Sequence, residues 1–434
     1  MNGFLIAAPH SGSGKTIVTL GVLRALRDRG ARVAPAKAGP DYIDPAFHAA
    51  ACGRDCVNLD PWAMRPELIA SLTAEFSEDA DMLVVEGMMG LFDGAADGKG
   101  SSADLATLLG LPIVLVVDCA RQSQSIAALV QGFANFRPGL TIAGVILNRV
   151  SNDRHESMLR QALLPLHVAI FGVLPPLPEL SLDSRHLGLV QAHENLSLEL
   201  LLSSAARAMA EHVDLKALSR LGQRAGKYGD KTNIAIIPPP GQRISIANDL
   251  ATAFSYPHIL RGWRNAGAEL SFFSPLENEA PRVGCDMVYL PGGYPELYAA
   301  RLSNSQNFRA GMELARERGA VIYGECGGYM LLGEGLIDAD DAGHRMLGFL
   351  PLETSFAVKQ RHLGYRRLRG AVGSPFPAEY AGHEFHYSTV LRQDRGQQLF
   401  QATDALGKDL GPAGLVDRNV CGSYMHLIDL AGTS

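Results

Sequence analysis

The chain alternates short, nearly unbroken apolar runs with stretches in which apolar residues recur every three or four positions. In the first half the runs fall at residues 4–8, 33–36, 82–85, 113–117, 142–147 and 169–173. Each is aliphatic or β-branched and is bounded by Gly, Pro or Asp, as strands are. Runs that are apolar at every position suit parallel strands covered on both faces. Between the first two, Val18, Val22, Ala25 and Leu26 share one face of a helix, and Gly30 supplies its stop. Such alternation predicts a doubly wound, mostly parallel α/β sheet. The second half repeats the theme at 234–237, 270–273, 287–290 and 320–323, and its tail is richer in β-like segments such as 385–391. A polar stretch at 222–227 and the triple proline at 238–240 mark a fresh start. The expected division is a first domain over 1–212, a linker over 213–232 and a second α/β domain over 233–434.

Composition narrows the classes. At 434 residues the chain is too long for one ordinary core, so two domains are expected. A net charge of −6 argues against a nucleic-acid surface, so an anionic substrate needs a local basic pocket. No apolar run reaches the length of a membrane span, and the N-terminal residues lack a basic segment, which makes the expected location cytoplasmic. Six scattered cysteines do not suggest a disulfide framework, and Cys52 and Cys56 lack a second pair to complete a metal site.

The first strand runs into Pro9-His10-Ser11-Gly12-Ser13-Gly14-Lys15-Thr16 and then a helix. Glycines let backbone N–H groups curl around phosphate oxygens, and the helix N-terminus adds positive potential. Lys15 would reach the β- and γ-phosphates of ATP, and Thr16 would ligate Mg²⁺. Pro9 stands where this motif usually begins with glycine. Mg²⁺ needs further oxygens, and two acidic segments offer them at strand ends. One is Lys37-Ala38-Gly39-Pro40-Asp41-Tyr42-Ile43-Asp44; the other runs from Glu86 through Asp93 to Gly94. Asp44 and Glu86 are candidate metal ligands, and Asp41, Tyr42 and Asp93 are further candidates for the same site. The plainer alternative makes Asp41 and Asp44 turn-forming residues beside proline.

In the second half a strand enters Gly324-Glu325-Cys326-Gly327-Gly328-Tyr329. A cysteine between small residues at a strand–helix junction makes a tight elbow that exposes the thiol at a helix N-terminus and lowers its pKa. Otherwise Cys326 is an inert buried side chain. Glycine amides of Pro291-Gly292-Gly293 and of Gly327 would stabilise an oxyanion. A cysteine nucleophile wants a histidine. His426, in Gly422-Ser423-Tyr424-Met425-His426, is the candidate, with His362, His383 and His386 as rivals.

Taken in order, the loop at 12–16, KAGPDYID at 37–44, EGMMGLFDG at 86–94, PGGYPE at 291–296, GECGGY at 324–329 and GSYMH at 422–426 resemble the cobyrinic/hydrogenobyrinic acid a,c-diamide synthase family over nearly the full chain. The segments 58–67, 151–156 and 361–367 read like the aerobic-pathway branch, which acts on metal-free hydrogenobyrinic acid. The resemblance implies a first domain similar to dethiobiotin synthetase and a second similar to class I glutamine amidotransferases, with Cys326 and His426 at the matching positions. Many class I enzymes carry Glu two residues after that histidine; this chain has Ile428. The cobalamin branch typically lacks it, which leaves open what orients His426.

The implied chemistry is ATP- and glutamine-dependent amidation of the a and c carboxylates of hydrogenobyrinic or cobyrinic acid, through an acyl phosphate and ammonia passed internally. A carboxylate-rich corrin calls for cations, for which Lys37, Arg121, Arg149 and Arg185 are candidates; each is equally a surface ion-pair partner. No nucleic-acid or membrane partner is expected, and the oligomeric state stays open, a homodimer included. Rival readings are a P-loop switch ATPase acting by binding, which leaves the second domain unexplained, and cobyric acid synthase, which differs in its corrin substrate.

Overall fold

The computed structural model describes residues 3–180, 184–185, 188–189, 191, 197–221, 234–372, 374–394 and 396–432. The chain divides into two compact units, one of residues 1–62 and 66–234, the other of residues 63–65 and 235–434.

The first unit is built on seven strands: β1 (Gly3–Ala7), β2 (Val33–Ala38), β3 (Val57–Leu59), β4 (Met82–Glu86), β5 (Ile113–Asp118), β6 (Ile142–Asn148) and β7 (Ala169–Val173). Their order is β3-β2-β4-β1-β5-β6-β7, and every pairing is parallel. From β1 the chain passes to β2 on one side, and from the adjacent β4 it crosses to β5 on the other, so the carboxyl ends of β1 and β4 form the crevice where such sheets bind ligands. The six expected strands are present within a residue or two at their ends. The seventh, β3, has three residues and no periodicity of its own to betray it. Helix α1 (Lys15–Asp28) buries Val18, Val22, Ala25 and Leu26, and Gly30 closes it at φ 84°. Opposite α1 lies the helix Leu198–His212; a Cβ on Gly21 would stand 2.6 Å from Met209 Cγ and 2.7 Å from the Ala205 carbonyl oxygen. A short antiparallel pair, β8 (Ser184–Arg185) and β9 (Gly188–Leu189), follows β7 in sequence.

The expected linker is corrected at its start. Val213 bridges to Gly172, and the helix Leu215–Leu221 buries Leu215 and Leu218, so these residues belong to the first unit. Residues 222–233 lie outside the described part of the chain. A second correction concerns 234–237, which is not a strand. Three prolines follow it, and proline offers no ladder N–H; the first strand of the new sheet starts at Arg243 instead.

In the second unit, β10 (Arg243–Ala247), β11 (Glu269–Phe273), β12 (Met287–Leu290) and β13 (Val321–Glu325) join the later β22 (Leu415–Asp417) and β23 (Val420–Ser423) in the order β11-β10-β12-β13-β23-β22. All pairings are parallel except β22 with β23. Side chains alternate across this sheet, as a two-residue period requires. Val288, Leu290 and Ile322 enter one core, with the helix residues Phe308, Met312 and Tyr329. Met287, Tyr289 and Tyr323 enter the other, against Leu368, Tyr380, Phe400 and Leu427. That second layer is an antiparallel sheet containing β17 (His362–Gly370), β18 (Glu379–His386), β20 (Phe400–Asp404), β21 (Asp409–Ala413) and β24 (Met425–Leu430). A four-stranded sheet of β14 (Gly335–Ile337), β15 (Gly343–Arg345), β16 (Leu352–Ser355) and β19 (Thr389–Gln393) completes the unit. The single expected run at 385–391 is therefore two strands, broken at 387–388 where the chain moves from one sheet to the other.

The close approach of α1 to its neighbour yields a stability prediction. Gly21→Leu forces backbone and side chain apart and should destabilise the first unit by about 1–3 kcal/mol. Gly132→Ala, at an open helical position where a Cβ meets nothing, should instead add about 0.5–1 kcal/mol. Denaturant titration of both variants checks this; equal effects would contradict the packing.

Candidate active sites

The first site grows from the register of β2, β4 and β1. Lys37 on β2 and Glu86 on β4 are direct neighbours in the parallel ladder, and Glu86 also pairs with Ile6 at the end of β1. Glu86 is fully buried. A carboxylate in that position must be paired or lose its charge. It accepts from Lys15 Nζ at 3.1 Å, Lys37 Nζ at 3.0 Å and Thr16 Oγ1 at 2.8 Å through one oxygen, while His48 Nε2 lies 2.6 Å from the other. Burial alone would raise the Glu86 carboxyl, but Lys37, Lys15 and the His48 hydrogen bond hold it well below the usual range. Lys37 also meets Asp44, with Asp41 at 3.9 Å. Burial and the adjacent Asp41 charge push Asp44 up to about 6 against the pull of Lys37.

Between β1 and α1 the loop turns through Gly12 at φ 83° and Gly14 at φ 89°. A side chain on Gly14 would collide with Asn148, whose amide donates to the Ser13 carbonyl at 2.9 Å. Ser13 itself is buried, its hydroxyl bound to the His10 carbonyl at 2.8 Å. The structure thus brings Gly12, Ser13, Gly14, Lys15, Thr16, Lys37, Asp41, Asp44 and Glu86 into one neighbourhood. Asp41 has a local task as well: its Oδ1 accepts from the Ile43 and Asp44 amides at 2.9 and 3.0 Å, shaping the start of helix α2 (Asp44–Cys52). Asp93 accepts from the Gly90 amide at 2.9 Å and is exposed. Tyr42 is half-buried beside Asp41.

The cationic candidates separate. Lys37 is buried among carboxylates, so it belongs to the acidic cluster and not to an open basic wall. Arg149 at φ 60° donates to the Gly12 carbonyl at 3.1 Å and pairs with Asp118 at 2.5 Å, tying the loop to the ends of β5 and β6. Arg121 is exposed after β5. The side chain of Arg185 lies outside the described residues. His48 was not anticipated from sequence, although its place four residues after Asp44 puts both on one face of α2. All six cysteines are free. Cys52 and Cys56 are buried beside His48, with Cys56 Sγ 3.6 Å from its Nδ1, and desolvation pushes both thiols up.

The second site centres on Cys326, which follows β13 at φ 47°, ψ −104°. This strained backbone is what a sharp strand–helix elbow demands. Gly328 packs so closely on the Leu290 carbonyl that no side chain fits there. A Cβ on Gly292 would collide with His426 Cε1 while standing 3.1 Å from His426 Nε2 and 3.3 Å from Cys326 Cβ, so the cysteine and this histidine bracket one point. A Cβ on Gly327 would lie 2.9 Å from the Gly293 amide nitrogen, which puts the two anticipated oxyanion donors side by side. The expected exposed, acidified thiol is corrected: Cys326 is 1% exposed, and burial pushes its thiol up despite the opposing Gly327 amide.

The rival histidines lie on β17 and β18. His383 stands directly across from His426 in the β18–β24 ladder. His386 bonds Ser388 Oγ at 3.0 Å and Glu384 at 3.1 Å, and stacks on Tyr424 with centroids 3.8 Å apart. His362, Glu384 and His386 have donor atoms within 4.8 Å of one another. Arg366 already neutralises that carboxylate at 2.7 Å, and together with the His386 hydrogen bond it holds Glu384 down at about 2 against its burial.

Residues 4–190 match the family model of the CobQ/CobB/MinD/ParA nucleotide binding domain, and residues 247–433 match that of the CobB/CobQ-like glutamine amidotransferase domain. Over its length the chain is similar to the hydrogenobyrinate a,c-diamide synthase of Brucella abortus biovar 1 (strain 9-941), with 58% identity over 433 residues, 100% of this chain and 99% of the relative. The enzyme of that description from Rhizobium meliloti (strain 1021) is 56% identical, covering 99% of this chain and 100% of the relative. That from Rhodobacter capsulatus is 48% identical and covers 98% of each.

Buried His383 sets a pH dependence. Desolvation, with the neighbouring His426 and Arg366 charges, lowers it from 6.5 to about 3. Between those values the unfolded chain binds a proton that the folded unit refuses, so this contribution to stability is complete above pH 6.5 and is lost as pH falls toward 3. His383→Gln should flatten the acid limb of a stability–pH curve by up to about 1.4 kcal/mol per pH unit. An unaltered slope in denaturant titrations across that range would contradict the burial argument.

Proposed function

The chain belongs to the hydrogenobyrinate a,c-diamide synthase family, and on that premise we propose how its residues divide the reaction. It is a ligase that forms carbon–nitrogen bonds with glutamine as amide donor, and its nucleotide-binding domain uses ATP. The acceptors are the a and c carboxylates of hydrogenobyrinic acid, in cobalamin biosynthesis. The observation that carries the reading is the separate convergence of Cys326 with His426 around Gly292, and of Lys15 and Thr16 on Glu86. A switch ATPase has no use for the first of these. Relatives of this description span the whole chain, which favours a,c-diamide synthesis over the cobyric acid synthase reading.

In the second unit the high thiol pKa of Cys326 makes a base necessary. His426 Nε2 takes the thiol proton as sulfur attacks the carboxamide carbon of glutamine. The amides of Gly293 and Gly327 receive the charge on oxygen. His426 returns the proton to the departing ammonia, leaving a γ-glutamyl thioester that water hydrolyses to glutamate and free Cys326.

In the first unit the loop amides and Lys15 hold the phosphates of ATP. Thr16 and Glu86, in contact at 2.8 Å, fit a hard cation, with Asp44 close by through Lys37. Bound there, Mg²⁺ would neutralise phosphate charge. A carboxylate is a poor electrophile; phosphorylation gives it a leaving group that ammonia displaces. Asp41 would orient the intermediate through Oδ2, the oxygen that does not cap α2.

Two predictions separate the half-reactions and the acids. Cys326→Ala should abolish glutamine-dependent synthesis and retain synthesis from ammonium salts, measured as diamide yield; loss of both in a folded variant would sink the two-site scheme. Glu86→Gln should raise the Mg²⁺ requirement and weaken ATP binding, with partial recovery at high Mg²⁺. Asp41→Asn should leave ATP affinity alone and release phosphate without amide. Phosphate and diamide yields against Mg²⁺ concentration distinguish them, and unchanged behaviour in both variants would remove these acids from the site.

A further inference from the structure

A histidine that takes a proton at Nε2 must keep its own proton on Nδ1, and an acceptor there sets the tautomer. Position 428, two residues beyond His426, is Ile and offers none. Asp429, also on β24, is occupied: its oxygens accept from the Arg65 amide and guanidinium at 2.9 Å and from the Leu430 amide at 2.8 Å. Glu384 is held by Arg366 and His386.

Among the described residues, a carboxylate that does face the ring is that of Glu325, immediately before Cys326. It is 3% exposed, and its Oε2 lies 3.6 Å from His426 Nδ1. Strand parity explains the placement. Tyr323 and Glu325 are two apart on β13, so both face the layer that contains β24. Tyr289 on β12 is the register partner of Tyr323, and their rings stack at 5.7 Å. Tyr289 donates to Oε2 at 2.7 Å and Tyr323 to Oε1 at 2.8 Å, where the Leu427 amide also donates at 3.2 Å. Burial and the Glu325 charge push both phenols up, so they stay donors. Three donors therefore fix the carboxylate, and one of them comes from the residue after His426.

We infer that Glu325 is the positioning residue for His426, supplying from the nucleophile elbow the carboxylate that β24 lacks two residues after the histidine. At 3.6 Å the carboxylate faces Nδ1 just beyond hydrogen-bond length, and a small shift of the ring brings Nδ1–H onto Oε2. Cys326 and the group that orients its base are then consecutive residues, so one elbow aligns both. The inference rests on Cys326 and His426 being the nucleophile and base. Facing His426 from neighbouring elements are Glu325, Cys326 and His383, with Arg366 and Glu384 beside His383.

The test compares Glu325→Gln, Glu325→Asp and Tyr289→Phe in the full chain, by glutaminase kinetics against pH and by ¹⁵N chemical shifts of the His426 imidazole. Glu325→Gln should lower kcat by about 10²–10⁴-fold with the glutamine KM nearly unchanged. It should also shift the imidazole limb of the pH profile down by about 1 unit or more, and move the proton from Nδ1 to Nε2. Glu325→Asp should keep the Nδ1–H tautomer. Tyr289→Phe, which removes a competing donor, should move the same limb upward and serves if Glu325→Gln fails to fold. An unmoved tautomer and pH limb, with only thermal stability lowered, would overturn the assignment and leave Glu325 a structural anchor. His426→Ala is run alongside; if it retained glutaminase activity, the Cys326–His426 reading itself would fall with it.

Discussion

A carboxylate sealed from water organises the first unit. Removing Glu86 from solvent costs several kcal/mol unless opposite charge and hydrogen bonds offset it. The fold provides them from three directions: the loop after β1 brings Lys15 and Thr16, β2 brings Lys37, and α2 brings His48. Because each partner sits at a strand end or in the first turns of a helix, the parallel register of β1, β2 and β4 is also the geometry of the site. The residues that hold this charge, Lys15 and Thr16 among them, are those proposed above to turn to phosphate and cation.

The second unit meets a different constraint. The cysteine proposed as nucleophile must leave the end of a parallel sheet while everything around it stays packed. Cys326, itself buried, does so in a strained conformation, which glycines at 292, 324 and 328 make sterically tolerable. Burial raises the thiol, so on the proposed reading its proton is taken by His426 and not released by the helix terminus. Two aromatic rings and a carboxylate below the elbow tie β12 and β13 to β24, which carries His426.

Much of this was readable in the chain. Strands covered on both faces announce themselves as apolar runs, and six of the seven in the first sheet were recognised within a residue or two. The loop ending in Lys15-Thr16, Glu86 at the close of β4, and the Cys326 elbow are local patterns in which residue type and position coincide. What escaped is non-local or short. β3 is three residues long. Residues 234–237 look like a strand until the following prolines are weighed. His48 matters only because α2 turns it toward Glu86, and Glu325 only because parity and β24 bring His426 to it. The thiol was misjudged because a helix terminus is visible in sequence and depth of burial is not.

On the proposed scheme, nitrogen taken from glutamine at Cys326 is installed on corrin carboxylates activated by ATP in the other unit. Mass spectrometry of the products formed from hydrogenobyrinic acid, ATP and glutamine labelled with ¹⁵N at its side-chain amide addresses it directly. The expected product is a diamide with the label in both new amides, with phosphate released in step with each. An unlabelled diamide, or consumption of glutamine and ATP with no amidated corrin, would contradict it.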